Sequence, residues 1–299
     1  MITKLEELVP VVQGRPKKRM AVAYAQDEHT IEAVNAAVDM GIVDAILVGD
    51  TNEIQRICMA LEVDPNKFSI VHAESDAASA NLAVKMINEG EADLLMKGLV
   101  STDKYMRAIL NKEYGLLPPK GVLSHVAVFE LPAYHKLLLV SDVAVIPYPD
   151  LKQKMAIVRY LISAARAMGI ERPKIAAIAP SEQMLPGVES SIEAAVLSKM
   201  ADRGQFGDVI MDGPLALDVA LFAEVAHTKH LSSPVAGDAD CLLMPNLDAG
   251  NVFYKAANHL CNAPLAAMVV GTKAPCVLTS RGDSAESKLY SIALAALNA

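Results

Sequence analysis

The sequence lacks the patterns that would direct it to several common classes of protein. Of its 299 residues only four are cysteines, and no two of them form a C-x-x-C pair or stand at zinc-ligand spacing. This scatter argues against a disulfide framework and against a zinc site. We therefore expect four buried core thiols, at Cys58, Cys241, Cys261 and Cys276.

The sequence also has no excess of positive charge and no long hydrophobic run. The formal net charge is -8, whereas sequence-independent binding of nucleic acid depends on clustered lysine and arginine. The longest apolar stretches, Leu137 to Ile146 and Pro264 to Gly271, are too short or too interrupted for a spanning helix of about 20 residues. Glu6 and Glu7 stand where a signal peptide would be apolar. We expect a cytoplasmic protein without a nucleic-acid or membrane partner.

Familiar phosphate-binding signatures are absent as well. Neither G-x-G-x-x-G after a strand nor G-x-x-x-x-G-K-[ST] occurs, which argues against a dinucleotide-binding dehydrogenase and a P-loop enzyme. No serine stands in G-x-S-x-G, which argues against an acyl-enzyme hydrolase. His227 and His230 have no carboxylate or cysteine at ligand spacing, so we predict no metal site.

Hydrophobic residues are abundant, at 53% of the chain against 21% charged residues. This balance excludes a disordered chain, and the length predicts one large or two medium domains. Short apolar runs alternate with amphipathic stretches of helix length, as in Lys18 to Ala25 followed by Asp27 to Met40. Continuously apolar strands separated by helices indicate a parallel sheet that is covered on both faces, so the predicted class is α/β.

This rhythm breaks between Gly121 and Pro149. The apolar segments Val122 to Phe129 and Lys136 to Val145 are separated by too few residues for a crossover helix, so we predict that they pair antiparallel. A helix over Leu151 to Met168 then opens a second α/β series. The break indicates a change of sheet or of domain.

The segment from Thr279 to Glu286 holds the most informative polar residues. An apolar strand delivers Ser280 and Arg281 at its carboxyl end, and a glycine turn leads into a helix. Ligands of open α/β sheets bind at that end of the strands, helix N-termini favour anions, and a guanidinium suits phosphate oxygens. An ordinary helix cap made by Asp283 and Glu286 explains the same spacing, so both interpretations stay open.

Two further clusters follow apolar strands. Lys97 to Thr102 repeats the layout of strand, glycine turn and hydroxyl-bearing helix start, with Lys97 as the cation. Asn246, Asp248 and Asn251 form the other cluster, which is compatible both with a helix cap and with a cleft lined by donors and acceptors.

The remaining candidates favour structural roles. Ser124 and His125 lie inside an apolar strand, where a lone histidine is more often structural than catalytic. Asp212 to Asp218 is predicted as a strand-to-helix loop, with Pro214 at the start of a helix that runs to Ala226.

Five of these segments, taken in order, resemble the phosphate acetyl/butyryl transferase family, and most closely its butyryltransferase branch. The resemblance runs over nearly the whole chain, and five ordered motifs are far more specific than any one. The segments are Leu95 to Thr102, Leu123 to Glu130, Asp212 to Leu215, Pro245 to Asn251 and Ser280 to Ser284.

The resemblance implies reversible transfer of a short acyl group, butyryl or similar, from coenzyme A to inorganic phosphate. The expected substrates are the acyl-coenzyme A and phosphate, with no cofactor and no metal, and the expected assembly is a homo-oligomer such as a dimer. It also implies a two-domain α/β fold like that of isocitrate and isopropylmalate dehydrogenases, with an interdomain cleft. Because the last strand and helix return to the first domain in that fold, the predicted domains are 1–148 with 272–299, and 149–271.

The resemblance also implies site residues. Ser280 and Arg281 match the active-site pair of the family. The acetyltransferase branch has an Asp seven residues after that serine as the base, where this chain has Ser287. Glu286 and Asp283 are the neighbouring carboxylates that can take its place, and Glu286 is predicted as the third catalytic residue. The predicted substrate-binding residues are Lys97, Thr102, Ser124, His125, Asn246, Asp248, Asn251 and Asp283.

Three alternatives compete with this prediction. One is a phosphate acetyltransferase, since the sequence does not fix the acyl chain length. Another is a nicotinamide-dependent hydroxy-acid dehydrogenase of the same architecture, which would need a carboxylate cluster for a metal. A third is a non-catalytic acyl-coenzyme A sensor, which the serine at position 287 makes conceivable.

Overall fold

A computed structural model of the chain describes residues 1–278 and 284–299. They form two compact units, each assembled from separate stretches of sequence. The flanking unit consists of Glu6–Leu123 and Ala266–Ala299, and the inserted unit consists of Met1–Leu5 and Ser124–Leu265.

Strands and helices alternate over most of the described chain. The strands are β1 Lys18–Ala23, β2 Val43–Gly49, β3 Ser69–His72, β4 Leu94–Lys97, β5 Ser124–Phe129, β6 Leu138–Ser141, β7 Lys174–Ile178, β8 Ile210–Leu215, β9 Cys241–Leu243, β10 Leu265–Val270 and β11 Cys276–Val277. The helices are α1 Leu8–Gln13, α2 Glu28–Asp39, α3 Thr51–Ala60, α4 Asp76–Asn88, α5 Thr102–Ile109, α6 Leu151–Ala167, α7 Glu189–Asp202, α8 Leu217–Leu221, α9 Ala223–Thr228, α10 Leu247–Lys255 and α11 Ala285–Asn298. One π-helical turn, Ala256–Leu260, continues α10.

The flanking unit is built on a mostly parallel sheet with the strand order β3-β2-β1-β4-β11-β10. β1 pairs in parallel with β2 and β4, and β11 pairs in parallel with β4. Only β10, which runs antiparallel to β11, departs from this direction. The four residues from Met20 to Ala23 are fully buried, as expected for a strand that is covered on both faces. The predicted α/β class is confirmed.

Most helices of the flanking unit, though not α1, begin at side-chain caps. Asp27, Asp50 and Ser75 each accept a hydrogen bond from the backbone N–H three residues further on, at the starts of α2, α3 and α4. Such caps satisfy N–H groups that have no partner within the helix. Polar residues directly after a strand are therefore often used to start the next helix.

The inserted unit has the strand order β5-β6-β9-β7-β8. β5 and β6 pair antiparallel, which confirms the prediction made from their short connection. The pairs β6–β9, β9–β7 and β7–β8 are parallel. α6 begins with a reciprocal cap between Asp150 and Gln153, close to the predicted start of the second series.

Three local predictions are wrong. Pro214 lies inside β8 rather than at a helix start, after a cis peptide bond to Gly213. A proline is tolerated there because β8 is the last strand in the order, and an edge strand has backbone donors to spare. The predicted helix to Ala226 is two short helices, α8 and α9. Cys261 is exposed, whereas the other three cysteines are buried as predicted.

The predicted domain boundaries stay a prediction. In the compact units the chain passes from one unit to the other after Leu5, after Leu123 and after Leu265. The antiparallel pair β5–β6 accordingly belongs to the inserted unit, and β10, apart from its first residue, belongs to the flanking unit. In the part of the chain that the structure describes, we find no helix long and apolar enough to span a bilayer.

Candidate active site

Two neighbouring parallel strands of the flanking unit end side by side. β11 pairs with β4 in a register that places Cys276 opposite Leu95 and Val277 opposite Met96. Lys97 is the last residue of β4, so the chain leaves β11 at the same edge of the sheet. Ligands of open α/β sheets bind outside the carboxyl ends of the strands. This edge, which we call the β4–β11 edge, is the candidate site of the flanking unit.

The Lys97 side chain is nearly buried at this edge. The residue is 7% exposed, and its Nζ donates to the Gly98 carbonyl oxygen at 3.3 Å. The Gly98 N–H donates in turn to the Ala23 carbonyl oxygen, at 2.9 Å. A Cβ at Gly98 would lie 2.5 Å from the carbonyl oxygen of Tyr24, so only glycine fits here. The turn after Lys97 is thus held closely against the end of β1.

α5 begins just after this turn and is fastened to β11. Ser101 caps the helix by accepting from the Lys104 N–H at 3.4 Å, and Thr102 is its exposed first residue. Tyr105 is fully buried, and its hydroxyl donates to the Val277 carbonyl oxygen at 3.2 Å. Burial raises the pKa of the Tyr105 phenol well above its usual value. The hydroxyl therefore stays a donor at neutral pH and ties α5 to the end of β11.

The predicted residues Ser280, Arg281 and Asp283 lie outside the described residues. α11 begins shortly after them, and Ser284 caps it by accepting from the Ser287 N–H at 3.1 Å. The two hydroxyl oxygens of Ser284 and Ser287 are also 3.1 Å apart, and Ser287 is nearly buried. Ser287, the position where the resemblance implies an Asp in the acetyltransferase branch, thus belongs to the helix start.

Glu286 is exposed in the first turn of α11. Its carboxylate accepts a hydrogen bond from the Tyr290 hydroxyl at 2.9 Å, one helical turn further on. α11 packs against β4 and β11. The structure therefore places Lys97, Thr102 and Glu286 on elements that are packed together in the flanking unit.

A second polar cluster lies at the carboxyl end of β6 in the inserted unit. Asp142 directly follows β6 and is 2% exposed. Its carboxylate accepts from the backbone N–H groups of Ala144, Val145 and Ile146 at 2.7, 2.9 and 3.2 Å. It also accepts from the Ser124 hydroxyl at 2.9 Å. Four donors fill about as many acceptor positions as a carboxylate has. We call this arrangement the Asp142 cluster.

Ser124 and His125, at the start of β5, are buried next to this carboxylate. The Ser141 hydroxyl donates to the His125 carbonyl oxygen at 2.8 Å, and its oxygen lies 3.2 Å from that of Ser124. Among the described residues His125 Nδ1 has no hydrogen-bond partner. Burial lowers the pKa of His125 to about 4, against the opposite effect of the Asp142 charge. His125 is therefore a neutral core residue at pH 7.

The polar residues around α10 serve mainly to position this helix. Asn246 caps it through a hydrogen bond from the N–H of Ala249 at 3.0 Å. The Asn251 amide donates to the Val143 carbonyl oxygen at 3.2 Å. Asp248 remains exposed, and its carboxylate accepts from the Tyr148 hydroxyl at 3.3 Å.

α10 approaches the turn after β6 at a glycine. A Cβ at Gly250 would lie 2.1 Å from the Asp142 carbonyl oxygen, which is a backbone atom that cannot move aside. Helix and turn therefore meet only because position 250 has no side chain. Of the predicted substrate-binding residues, Ser124, His125 and Asn251 thus lie at the Asp142 cluster, and Asn246 caps the helix that meets it.

One buried ion pair was missed by sequence reasoning. Lys154 of α6 pairs with Glu193 of α7, and the two side chains are only 6% and 13% exposed. A small cavity beside them is lined by Ile178, Met244 and Pro245, at the ends of β7 and β9. Buried charges in a cavity are candidates for function as well as for structure. No sequence signal marks this pair, because each residue alone resembles the solvated face of a helix.

Asp142 was missed for a similar reason, since it lay within a predicted apolar strand. Within residues 1–278 and 284–299, we find no three His, Cys, Asp or Glu side chains placed to hold a metal ion. The two units thus define an α/β protein in which the β4–β11 edge carries a buried cation, and Ser280 and Arg281 follow β11 in the sequence.

Comparison with known proteins places this architecture in a family. The family described as Phosphate acetyl/butaryl transferase matches residues 4–84 and 75–296, so the chain belongs to it. The chain is 48% identical over 297 residues to phosphate butyryltransferase of Clostridium acetobutylicum, covering 99% of this chain and 98% of the relative. It is 41% identical over 293 residues to phosphate acetyltransferase of Thermotoga maritima, covering 98% and 99%.

A solved structure of the same kind matches the fold. The branched-chain phosphotransacylase of Enterococcus faecalis V583 superimposes with a TM-score of 0.83 at 32% sequence identity. The match covers 94% of this chain and 98% of that protein. The resemblance inferred from the five ordered motifs is thereby confirmed over nearly the whole sequence.

Proposed function

We propose that the protein transfers a short acyl group, butyryl or one close to it in length, between coenzyme A and inorganic phosphate. The observation that carries this proposal is the 48% identity to a phosphate butyryltransferase over nearly the whole of both chains. In the forward direction a phosphate oxygen attacks the thioester carbonyl. The carbon–sulfur bond breaks, a carbon–oxygen bond to phosphate forms, and coenzyme A leaves as a thiolate that takes up a proton.

The main obstacle to this reaction is the electrostatic repulsion between the anionic substrates. Phosphate and the phosphates of coenzyme A repel each other, so cations have to hold the nucleophile in line with the carbonyl. We assign this role to Arg281, with Lys97 as a second cation. The β4–β11 register supports the assignment, because the chain leaves β11 at the edge where Lys97 ends β4.

Ser280 and the N-terminus of α11 supply the polar groups for the charge that develops on oxygen or sulfur. Glu286 is the proposed base, and Asp283 is the neighbouring carboxylate that could replace it. The hydrogen bond from Tyr290 orients Glu286 at the start of α11. Thr102 and Asp248 are exposed and suited to contact substrate. Ser124, His125, Asn246 and Asn251 stay predictions as substrate contacts.

Several broader features accompany the proposal. We propose a cytoplasmic homo-oligomer such as a dimer, which acts without a cofactor because the thioester of coenzyme A is itself a substrate. The resemblance also implies the dehydrogenase-like two-domain arrangement with its interdomain cleft, and these finer features remain part of the proposal.

The test is an assay of thiol release from butyryl-coenzyme A. The expected result is release that depends on added phosphate, with acetyl- and propionyl-coenzyme A as parallel substrates. A higher kcat/KM for acetyl-coenzyme A would assign a phosphate acetyltransferase. Binding of the thioester without release would assign a sensor. No release, together with nicotinamide reduction on a hydroxy acid, would assign a dehydrogenase.

A further inference from the structure

A second pocket lies on the surface of the inserted unit and uses none of the residues assigned above. It is formed by α6 and the segment after α7, and its volume is about 330 Å³. Pockets for small molecules range from about 300 to 1,000 Å³. The lining residues are Arg159, Ile162, Ser163, Arg166, Gln205 and Phe206. We call it the α6 pocket.

The charge in this pocket has one sign. Arg159 and Arg166 stand seven residues apart on α6, nearly two helical turns, so they share one face. Among the described residues neither guanidinium belongs to an ion pair, and the pocket lining includes no carboxylate. The neighbouring Arg172, in contrast, pairs with the Asp208 carboxylate at 2.9 Å. The α6 pocket is therefore lined by two guanidinium groups that form no ion pair with any described residue.

Both guanidinium groups are held in place by contacts that leave donors for a ligand. Arg166 donates through Nε to the Glu171 carbonyl oxygen at 3.2 Å and through Nη2 to the Asp208 carbonyl oxygen at 2.9 Å. These bonds use two of its five N–H donors. Arg159 lies over the Phe206 ring, with Cζ 5.5 Å from the ring centroid. A guanidinium held in this way loses little freedom when it binds an anion.

We propose that the α6 pocket binds the linked phosphates of a free nucleoside diphosphate. Arg159 and Arg166 start about 10 Å apart along α6, so each guanidinium can hold one phosphate of a linked pair. Ser163 and Gln205 supply neutral hydrogen-bonding groups, and the nearly buried side chains of Ile162 and Phe206 form the apolar floor of the pocket. The proposal is independent of the acyl-transfer function.

Calorimetric titration of the full-length protein with ADP, in the presence of saturating butyryl-coenzyme A, tests the proposal. The expected result is one ADP bound per chain, with affinity lowered at least tenfold by Arg159→Glu. Ser163→Glu should have a similar effect, since it puts a carboxylate into the pocket at an exposed position where the side chain has room in solvent. The control Arg56→Glu makes the same charge change on exposed α3 of the flanking unit and should leave ADP binding unaltered.

Three outcomes would overturn the proposal. They are no ADP binding by the wild-type protein, ADP binding that Ser163→Glu leaves unchanged, and ADP binding that coenzyme A abolishes, which would assign the bound group to coenzyme A. Weaker binding of adenosine than of ADP, measured under the same conditions, would support it. Arg159→Glu is expected to retain acyl transfer. Failure of this proposal would appear in the ADP titration, whereas failure of the acyltransferase proposal would appear as a lack of phosphate-dependent thiol release.

Discussion

The Asp142 cluster and the β4–β11 edge both place polar side chains at the carboxyl ends of strands, yet they differ in how those side chains are used. In the cluster, Asp142 receives four hydrogen bonds and Asn251 holds the adjoining turn. At the edge, Lys97 ends a strand beside the segment that leads to Ser280 and Arg281. The position of a polar residue at a strand end is therefore not enough to assign it a function. Its hydrogen bonds within the protein show whether it supports the fold or is available to a substrate.

This difference predicts two kinds of mutant. Substitutions in the Asp142 cluster should lower stability more than the rate per folded molecule, because its polar groups support the fold. Substitutions at the β4–β11 edge should do the reverse. Measuring unfolding and turnover on the same variants tests the distinction.

The largest effect is expected for Arg281→Ala. Loss of a charge-stabilising donor should lower kcat/KM for phosphate by about 10²-fold or more, while the midpoint of thermal unfolding stays close to that of the wild type. Arg281→Lys is the matched control, since it keeps the charge but loses the planar pair of donors, and it should recover part of the rate. Turnover near the wild-type level in Arg281→Ala would remove this residue from the mechanism.

Asp142→Ala should have the largest effect on stability. It leaves three backbone N–H groups and the Ser124 hydroxyl without their acceptor, so we expect a loss of about 3 kcal/mol in the free energy of unfolding. Urea titration measures this loss, and kcat per folded molecule should be retained. A large fall in kcat without a change in stability would assign the cluster to catalysis instead.

His125 should make stability depend on pH. Its pKa is about 4 in the folded protein, below the usual 6.5, so the unfolded chain binds a proton more readily between these values. The contribution of His125 is therefore complete above about pH 6.5 and decreases as the pH falls to about 4, by up to about 3 kcal/mol in total. Urea titrations at several pH values from about 4 to about 7 give the free energy of unfolding at each pH. This free energy should change less with pH in His125→Gln than in the wild type. The same pH dependence in both proteins would show that His125 is not responsible for it.

Tyr105→Phe should have the smallest effect on stability. It removes the hydrogen bond to the Val277 carbonyl oxygen, which is worth about 1 kcal/mol. The control Tyr134→Phe removes an equivalent bond, to the Ala239 carbonyl oxygen, from the inserted unit. Both variants should lose similar stability in urea titrations, but only Tyr105→Phe should lower kcat, because it loosens β11 beside the site. Equal kcat values would show that this tie does not position the site.

Much of the fold follows from the sequence because its signals are local. Apolar runs such as Met20 to Ala23, between helix-length amphipathic stretches, are typical of buried strands, and the short connection between β5 and β6 favours antiparallel pairing. Pro214 was assigned wrongly because the same residue suits a helix start and an edge strand, and only the strand order separates the two.

The candidate site was predictable to a lesser degree. The turn after Lys97 could be predicted from the sequence because it contains a glycine. The structure requires Gly98 there, since the backbone of Tyr24 approaches it closely. The polar environment of Asp142 and the Lys154–Glu193 pair arises from residues far apart in sequence. Neither could be found without knowing which elements pack together.

The division of the flanking unit between two distant stretches of chain has a consequence for synthesis. During translation Glu6–Leu123 emerges well before Ala266–Ala299, which supplies β11 and the largely buried α11. β4 therefore lacks its neighbour β11 until the whole of Ser124–Leu265 has been made. The apolar edge of β4 is exposed during that interval, so a nascent chain stalled within the inserted unit should be bound by chaperones and cleaved by proteases more readily than the completed protein.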